Sequence, residues 1–143
     1  MVPAPEPCQP TRQLPKPVRQ KEGPLTAGSE TAPRGLVVLW TSQDPEVARN
    51  MAFMYARNSK LKGWWEQVRF VVWGPSAKLL ASDESLQAEL LEMRAAGVEL
   101  QACKACSDRY EVSDKLASLG IDVIYMGVPM TEYLKSNWAI LSV

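Results

Sequence analysis

The stretch GLVVLWTSQDPEVARNMAFMYARNSKLKG, residues 35–63, decides the fold. It opens with GLVVLWT (35–41), a continuous apolar run rich in β-branched residues and of buried-strand length. A strand that is apolar at every position is covered on both faces, which is the environment of a parallel sheet. Asp44 then precedes Pro45, the pattern of a helix N-cap followed by proline at the first helical position. Val47, Met51 and Met54 or Tyr55 recur at helical spacing, and Gly63 is the expected stop. The segment reads as strand, turn and helix.

The same unit repeats downstream. QVRFVVWG (67–74) is a second strand. PSAKLLASDESLQAELLEMRAAG reads as a short helix, a break near Ser82 and Asp83, and a longer helix with Leu86, Leu90 and Met93 on one face, ended by Gly97. VELQA (98–102) is a third, shorter strand, and VSDKLASLG (112–120) a helix with Val112, Leu116 and Leu119 on its apolar stripe. IDVIYMG (121–127), a short helix opened by Pro129, and WAILSV (138–143) complete the series. Strands alternating with helices over short connections imply right-handed crossovers. The fold class expected for residues 35–143 is a three-layer α/β/α sandwich with a five-stranded, mostly parallel sheet. Ligands of such folds gather at the carboxyl ends of the strands. Thr41 to Gln43, Trp73 to Ser76, Cys103 and Met126 to Pro129 fall there.

Residues 1–34 are of another kind. Eight of the 11 prolines lie in this segment, with almost no large apolar side chains. It has too little to bury to offset its chain entropy, so a disordered tail is expected. A tether or a proline-motif ligand is the sharper alternative, with PTRQLPKP its carrier. Cys8 reads as an incidental exposed thiol.

Composition limits the chemistry. Sixteen basic and 16 acidic residues cancel, which gives no electrostatic case for nucleic acid or an anionic membrane as partner. The chain of 143 residues contains no histidine, which removes Ser-His-Asp and Cys-His catalysis and every histidine-containing metal site. No nucleotide-cradling glycine motif occurs, so no cofactor is expected. Asp83, Glu84, Glu89 and Glu92 read as a solvated helix face. No apolar run reaches the roughly 20 residues of a membrane span, and the proline-broken N-terminus is not a secretory signal. A cytoplasmic protein with reduced thiols is the expectation.

Cys103 and Cys106, in ELQACKACSDRY (99–110), are then the candidate site. Zinc needs about four ligands, and two thiols do not supply them. A reversible Cys103–Cys106 disulfide is geometrically plausible. A helix starting just after Cys103 would turn its N–H groups toward the sulfur, and Lys104 and Arg109 would add positive charge if they turned that way; both favour the nucleophilic thiolate. Cysteines are also common small core residues. Among these readings the residues themselves do not choose.

VVLWTS, VVWGPSAKLL, GVELQACKACSDRYEV, and GIDVIYMG with TEYLKSNWAIL together resemble the DsrE/DsrF/TusD-like family of sulfur-relay proteins, across residues 35–143. The resemblance implies a persulfide-accepting cysteine after the third strand, at Cys103, with Cys106 matching a second cysteine found in many members. It implies a sulfur carrier, a sulfurtransferase in that sense, that takes sulfane sulfur from a donor protein or small thiol and hands it to an acceptor protein or small thiol. It implies a homo-oligomer, trimer or hexamer. Glu111 stands where many relatives carry glycine, which implies a different local turn. The alternative reading is a non-catalytic oligomeric small-ligand-binding or assembly domain with structural cysteines, its pocket lined by Trp73, Pro75 and Met126.

Overall fold

The computed structural model describes residues 2, 3 and 32–143. The expected disordered tail and Cys8 therefore lie almost wholly outside the described residues. Five strands, β1 (Leu36–Trp40), β2 (Val68–Val72), β3 (Glu99–Cys103), β4 (Asp122–Ile124) and β5 (Ala139–Ser142), form one sheet in the order β4-β3-β2-β1-β5. Every pairing is parallel. The apolar runs thus pair as a two-faced parallel sheet requires.

Between β1 and β2 run α1 (Pro45–Val47), a π-helical segment (Ala48–Phe53) and α2 (Met54–Leu61). Asp44 caps α1, its carboxylate accepting from the Glu46 N–H at 2.8 Å. The expected apolar stripe is not the buried one. Met51 and Met54 are about half exposed, and Ala48, Ala52, Phe53 and Ala56 face the core instead. The π turn winds wider than 3.6 residues and shifts the face. Small residues at the contact also let the helix lie close to the sheet.

α3 (Pro75–Ser82) and α4 (Glu84–Ala95) are separated at Asp83, whose side chain accepts from the Ser85 and Leu86 N–H groups. Leu86, Leu90 and Met93 are fully buried, as their spacing predicts. The acidic residues do more than meet solvent. Arg49 pairs with Asp83 and Glu89, and Arg57 with Glu92, tying α4 to the helix after β1. α5 (Lys104–Arg109) and α6 (Ser113–Ser118) connect β3 to β4. α7 (Gly127–Lys135) leads to β5 and starts two residues before the expected Pro129.

Strand register sorts the side chains. Leu36, Val38 and Trp40 share a face with Val68, Phe70 and Val72 and with Leu100 and Ala102. This face meets the π-helical segment, α2, α3, α4 and α6 in the main core, where Phe53 sits edge-on to both Trp40 and Phe70. The opposite face carries Val37, Leu39, Arg69, Val71, Gln101 and Cys103. Here α7 supplies cover through Met130 and Tyr133, and Cys106 of α5 packs at the rim. The order explains the asymmetry. Three crossovers step one way from β1 to β4 and place their helices on one side; the last steps back past β1 and places α7 on the other.

Candidate functional site

At the carboxyl end of β2 the chain makes a sharp turn. Trp73 donates its N–H to the Trp40 carbonyl at 3.1 Å. Gly74 adopts φ 69°, ψ −139°, a conformation essentially confined to glycine. Pro75 opens α3, and Ser76 is fully buried, its hydroxyl 2.6 Å from the Trp40 carbonyl and 3.0 Å from that of Trp73. One hydroxyl therefore ties β1 to the turn after β2.

β3 ends at Cys103, and α5 begins at the next residue. The buried Ser107 hydroxyl donates to the Cys103 carbonyl at 2.8 Å and fixes the start of the helix. Register places Cys103 on the α7 face, 5% exposed, in a cluster with Val37, Val71, Met126 and Met130. Cys106, one turn on, is half-buried at the same cluster's rim with Trp73. Both cysteines are free thiols.

Cys103 and Cys106 share one apolar cluster with Trp73, beside the Gly74 turn. Burial pushes the Cys106 thiol pKa up, the neighbouring Cys103 thiol pushes it further, and the Gly74 N–H and Arg109 oppose the rise. Lys104 does not turn to the sulfur: its ammonium pairs with Asp108 at 2.6 Å and lies over the Tyr125 ring. Arg109 acts only as the weakest of the influences on Cys106.

Of the expected pocket lining, Trp73 and Met126 border the thiols, whereas Pro75 is exposed. Among the described residues no three Cys, Asp or Glu side chains converge as a metal site would need. An apolar groove of about 600 Å³ lies elsewhere, beside β5 and the π-helical segment. Glu111 takes φ 59°, so the glycine-type turn is kept with a side chain that strains it.

A second cluster escaped sequence reading. Arg69 donates to Glu99 at 2.8 Å and to the Tyr133 hydroxyl at 3.0 Å, with its guanidinium over the Tyr133 and Trp138 rings. Tyr133 in turn donates to Gln101 at 2.9 Å. This clamp fixes α7 on the sheet, and so the Met126 and Met130 wall against Cys103. A charged residue at an inward strand position is its trace in the sequence.

Fold and site together define a parallel α/β domain with a dithiol at the carboxyl end of its third strand. The chain is similar to a solved structure of a conserved protein of unknown function from Bacteroides thetaiotaomicron, 44% identical, matched over 77% of this chain and 95% of that one with a TM-score of 0.75. The chain belongs to the family of that protein. No protein-family model matches the chain, and no curated relative is found. No helix among the described residues is long and apolar enough to cross a membrane.

Proposed function

We propose that the domain is a DsrE-like sulfur carrier, a sulfurtransferase in the sense that it passes sulfane sulfur between partners through Cys103. The observation that carries this reading is the packing of two free thiols in one apolar cluster at a strand's carboxyl end. The Cys103 thiolate attacks the outer sulfur of a donor persulfide, R–S–SH, forming Cys103–S–SH and releasing R–S⁻. An acceptor thiolate then takes that outer sulfur and leaves the Cys103 thiolate. The near-burial of Cys103 among apolar side chains fits a small donor group reaching it and keeps bulk water from the persulfide. Cys106 modulates its lifetime. Its thiolate attacks the inner sulfur, forms a Cys103–Cys106 disulfide and expels HS⁻. The raised Cys106 pKa keeps this branch slow near neutral pH.

The test is intact-protein mass spectrometry after brief exposure to polysulfide. A species one sulfur atom heavier, lost in Cys103→Ser and longer-lived in Cys106→Ser, is the expected result. Sulfur still loaded on the Cys103→Ser domain would refute the assignment to Cys103. No adduct, with Cys103 inert to alkylation until denaturation, would instead favour an assembly or small-ligand-binding domain with structural cysteines.

Homo-oligomerisation, as trimer or hexamer, belongs to both readings. What supports it is the sheet face that α7 half-covers. Leu39, Trp73 and Ile140 remain partly exposed there, and Tyr125 and Val128 are about two-thirds exposed nearby. Light scattering at micromolar concentration reads the state directly; a monomer would overturn this part.

A further inference from the structure

We infer that the groove beside β5 is the docking site for the chain's own segment LPKPV, residues 14–18, bound as a polyproline II strand. The groove is independent of the thiols. Its floor is the free edge of the sheet at Ala139–Leu141, and its wall is the helix after β1. Two observations fix the type of occupant. Tyr55 and Trp64 stand in the groove as a tilted aromatic pair, ring centres 6.0 Å apart. Met51 and Met54, displaced from the core by the π turn, present about half of their surface to it. Aromatic-lined apolar grooves of this kind take proline-rich strands, which arrive with little conformational entropy to lose.

A proline-rich occupant also fits better than an added β-strand. Prolines have no N–H and cannot complete a ladder on the β5 edge. A polyproline II strand instead leaves its carbonyls open, and the Tyr55 hydroxyl, which accepts from Trp65 Nε1 at 3.4 Å, keeps its own proton to donate. The flanking Arg12, Lys16 and Arg19 are matched at one end of the groove by Glu46, whose carboxylate holds the groove residue Asn50 at 2.9 Å.

The occupant is named by where the chain enters the fold. The Asn137 side chain donates to the Ala32 carbonyl at 2.6 Å, and the Arg34 N–H to the Asn137 carbonyl at 2.6 Å. Asn137 lies two residues before β5, and Leu36 pairs with Ala139 at the groove's floor. The chain preceding Ala32 therefore starts at one end of the groove. Residues 19–31 reach at most about 45 Å when extended, several times the roughly 15 Å that five polyproline residues occupy. Such a connection gives an effective concentration on the order of 1 mM, so an intrinsic Kd of about 0.1 mM suffices for roughly tenfold excess of the docked form.

The test uses the full chain with ¹³C-labelled methionine methyl groups. The Leu14→Asp/Pro17→Asp double variant should shift the Met51 and Met54 methyl signals. Those shifts should not depend on protein concentration. In the native chain, trypsin should cleave after Arg12 and Arg19 about tenfold more slowly than in Met54→Glu, a change at a half-exposed groove position. Methyl signals and cleavage rates unchanged by either variant would overturn the inference. Methyl shifts that grow with protein concentration would overturn it as well, by assigning the groove to a second copy.

Discussion

Gly74→Ala isolates what the turn over β2 requires. A Cβ at this position would meet no heavy atom within 4 Å, so steric collision contributes nothing. The backbone at φ 69°, ψ −139° is the whole effect. An L-residue held there costs about 1–3 kcal/mol. Losing glycine's freedom in the unfolded chain returns about 0.4–1 kcal/mol. The net expectation is a loss of about 1.5 kcal/mol, or a fall of roughly 7 °C in Tm for a domain of this size. Gly127→Ala is the matched control: its Cβ also meets open space, but its φ is not positive and it lies in α7. That change should be neutral or stabilise by up to about 1 kcal/mol. Urea unfolding of the two variants separates backbone strain from the mere addition of a methyl group. The site supplies a second readout. If the strained peptide rotates, Cys106 loses the Gly74 N–H that opposes its raised pKa, so the pH midpoint of its alkylation moves further up. Equal stability of the two variants would refute the reasoning, because both added methyl groups meet open space and the strained φ belongs to Gly74.

Other perturbations test other parts of the molecule. Glu111→Gly relieves a left-handed backbone worth about 1–2 kcal/mol and pays about 0.5–1 kcal/mol in chain entropy, so a gain of about 0.5 kcal/mol should appear in urea melts. Arg69→Met removes two charge-assisted hydrogen bonds and two ring contacts; a loss of about 2 kcal/mol and faster hydrogen exchange in α7 are expected. The Asp83 carboxyl is held below its ordinary pKa, chiefly by the Leu86 N–H and then by the Ser85 hydroxyl. A depressed folded pKa means stability that is present above the unfolded value, about 3.9, and is lost as the pH falls through the folded one. Asp83→Asn should therefore differ most from the native chain near neutral pH, and the difference should shrink as the solution is acidified below about pH 4, followed by thermal melts.

Periodicity made most of the fold legible because the sheet is parallel and buried. Every strand core, the break at Asp83 and the stripe of Leu86, Leu90 and Met93 answer to local pattern. The helix after β1 defied it. A π segment has no propensity signature, so local spacing points Met51 and Met54 to the core face that Ala52 and Phe53 occupy. At the site, the spacing of Cys103 and Cys106 gave their adjacency, but not which thiol is buried. That depends on strand register and on α7, more than 20 residues later. The Arg69 clamp was invisible for the same reason: its partners Glu99, Tyr133 and Trp138 lie 30 to 69 positions along the chain, and no local window joins them.

The strand order has a consequence for synthesis. β1 to β4 are neighbours in space in the order in which a ribosome delivers them, so each can join the growing sheet on arrival. The outer edge of β1 has no such luck. Its partner β5 is translated about a hundred residues later, which at about 5–20 residues per second is a delay of roughly 5–20 seconds. For that interval a row of apolar residues with open hydrogen-bonding groups stands at the rim of a nascent sheet, the kind of edge on which chains aggregate. Polysome crowding and chaperone supply should therefore govern the yield of this protein more than its final stability does.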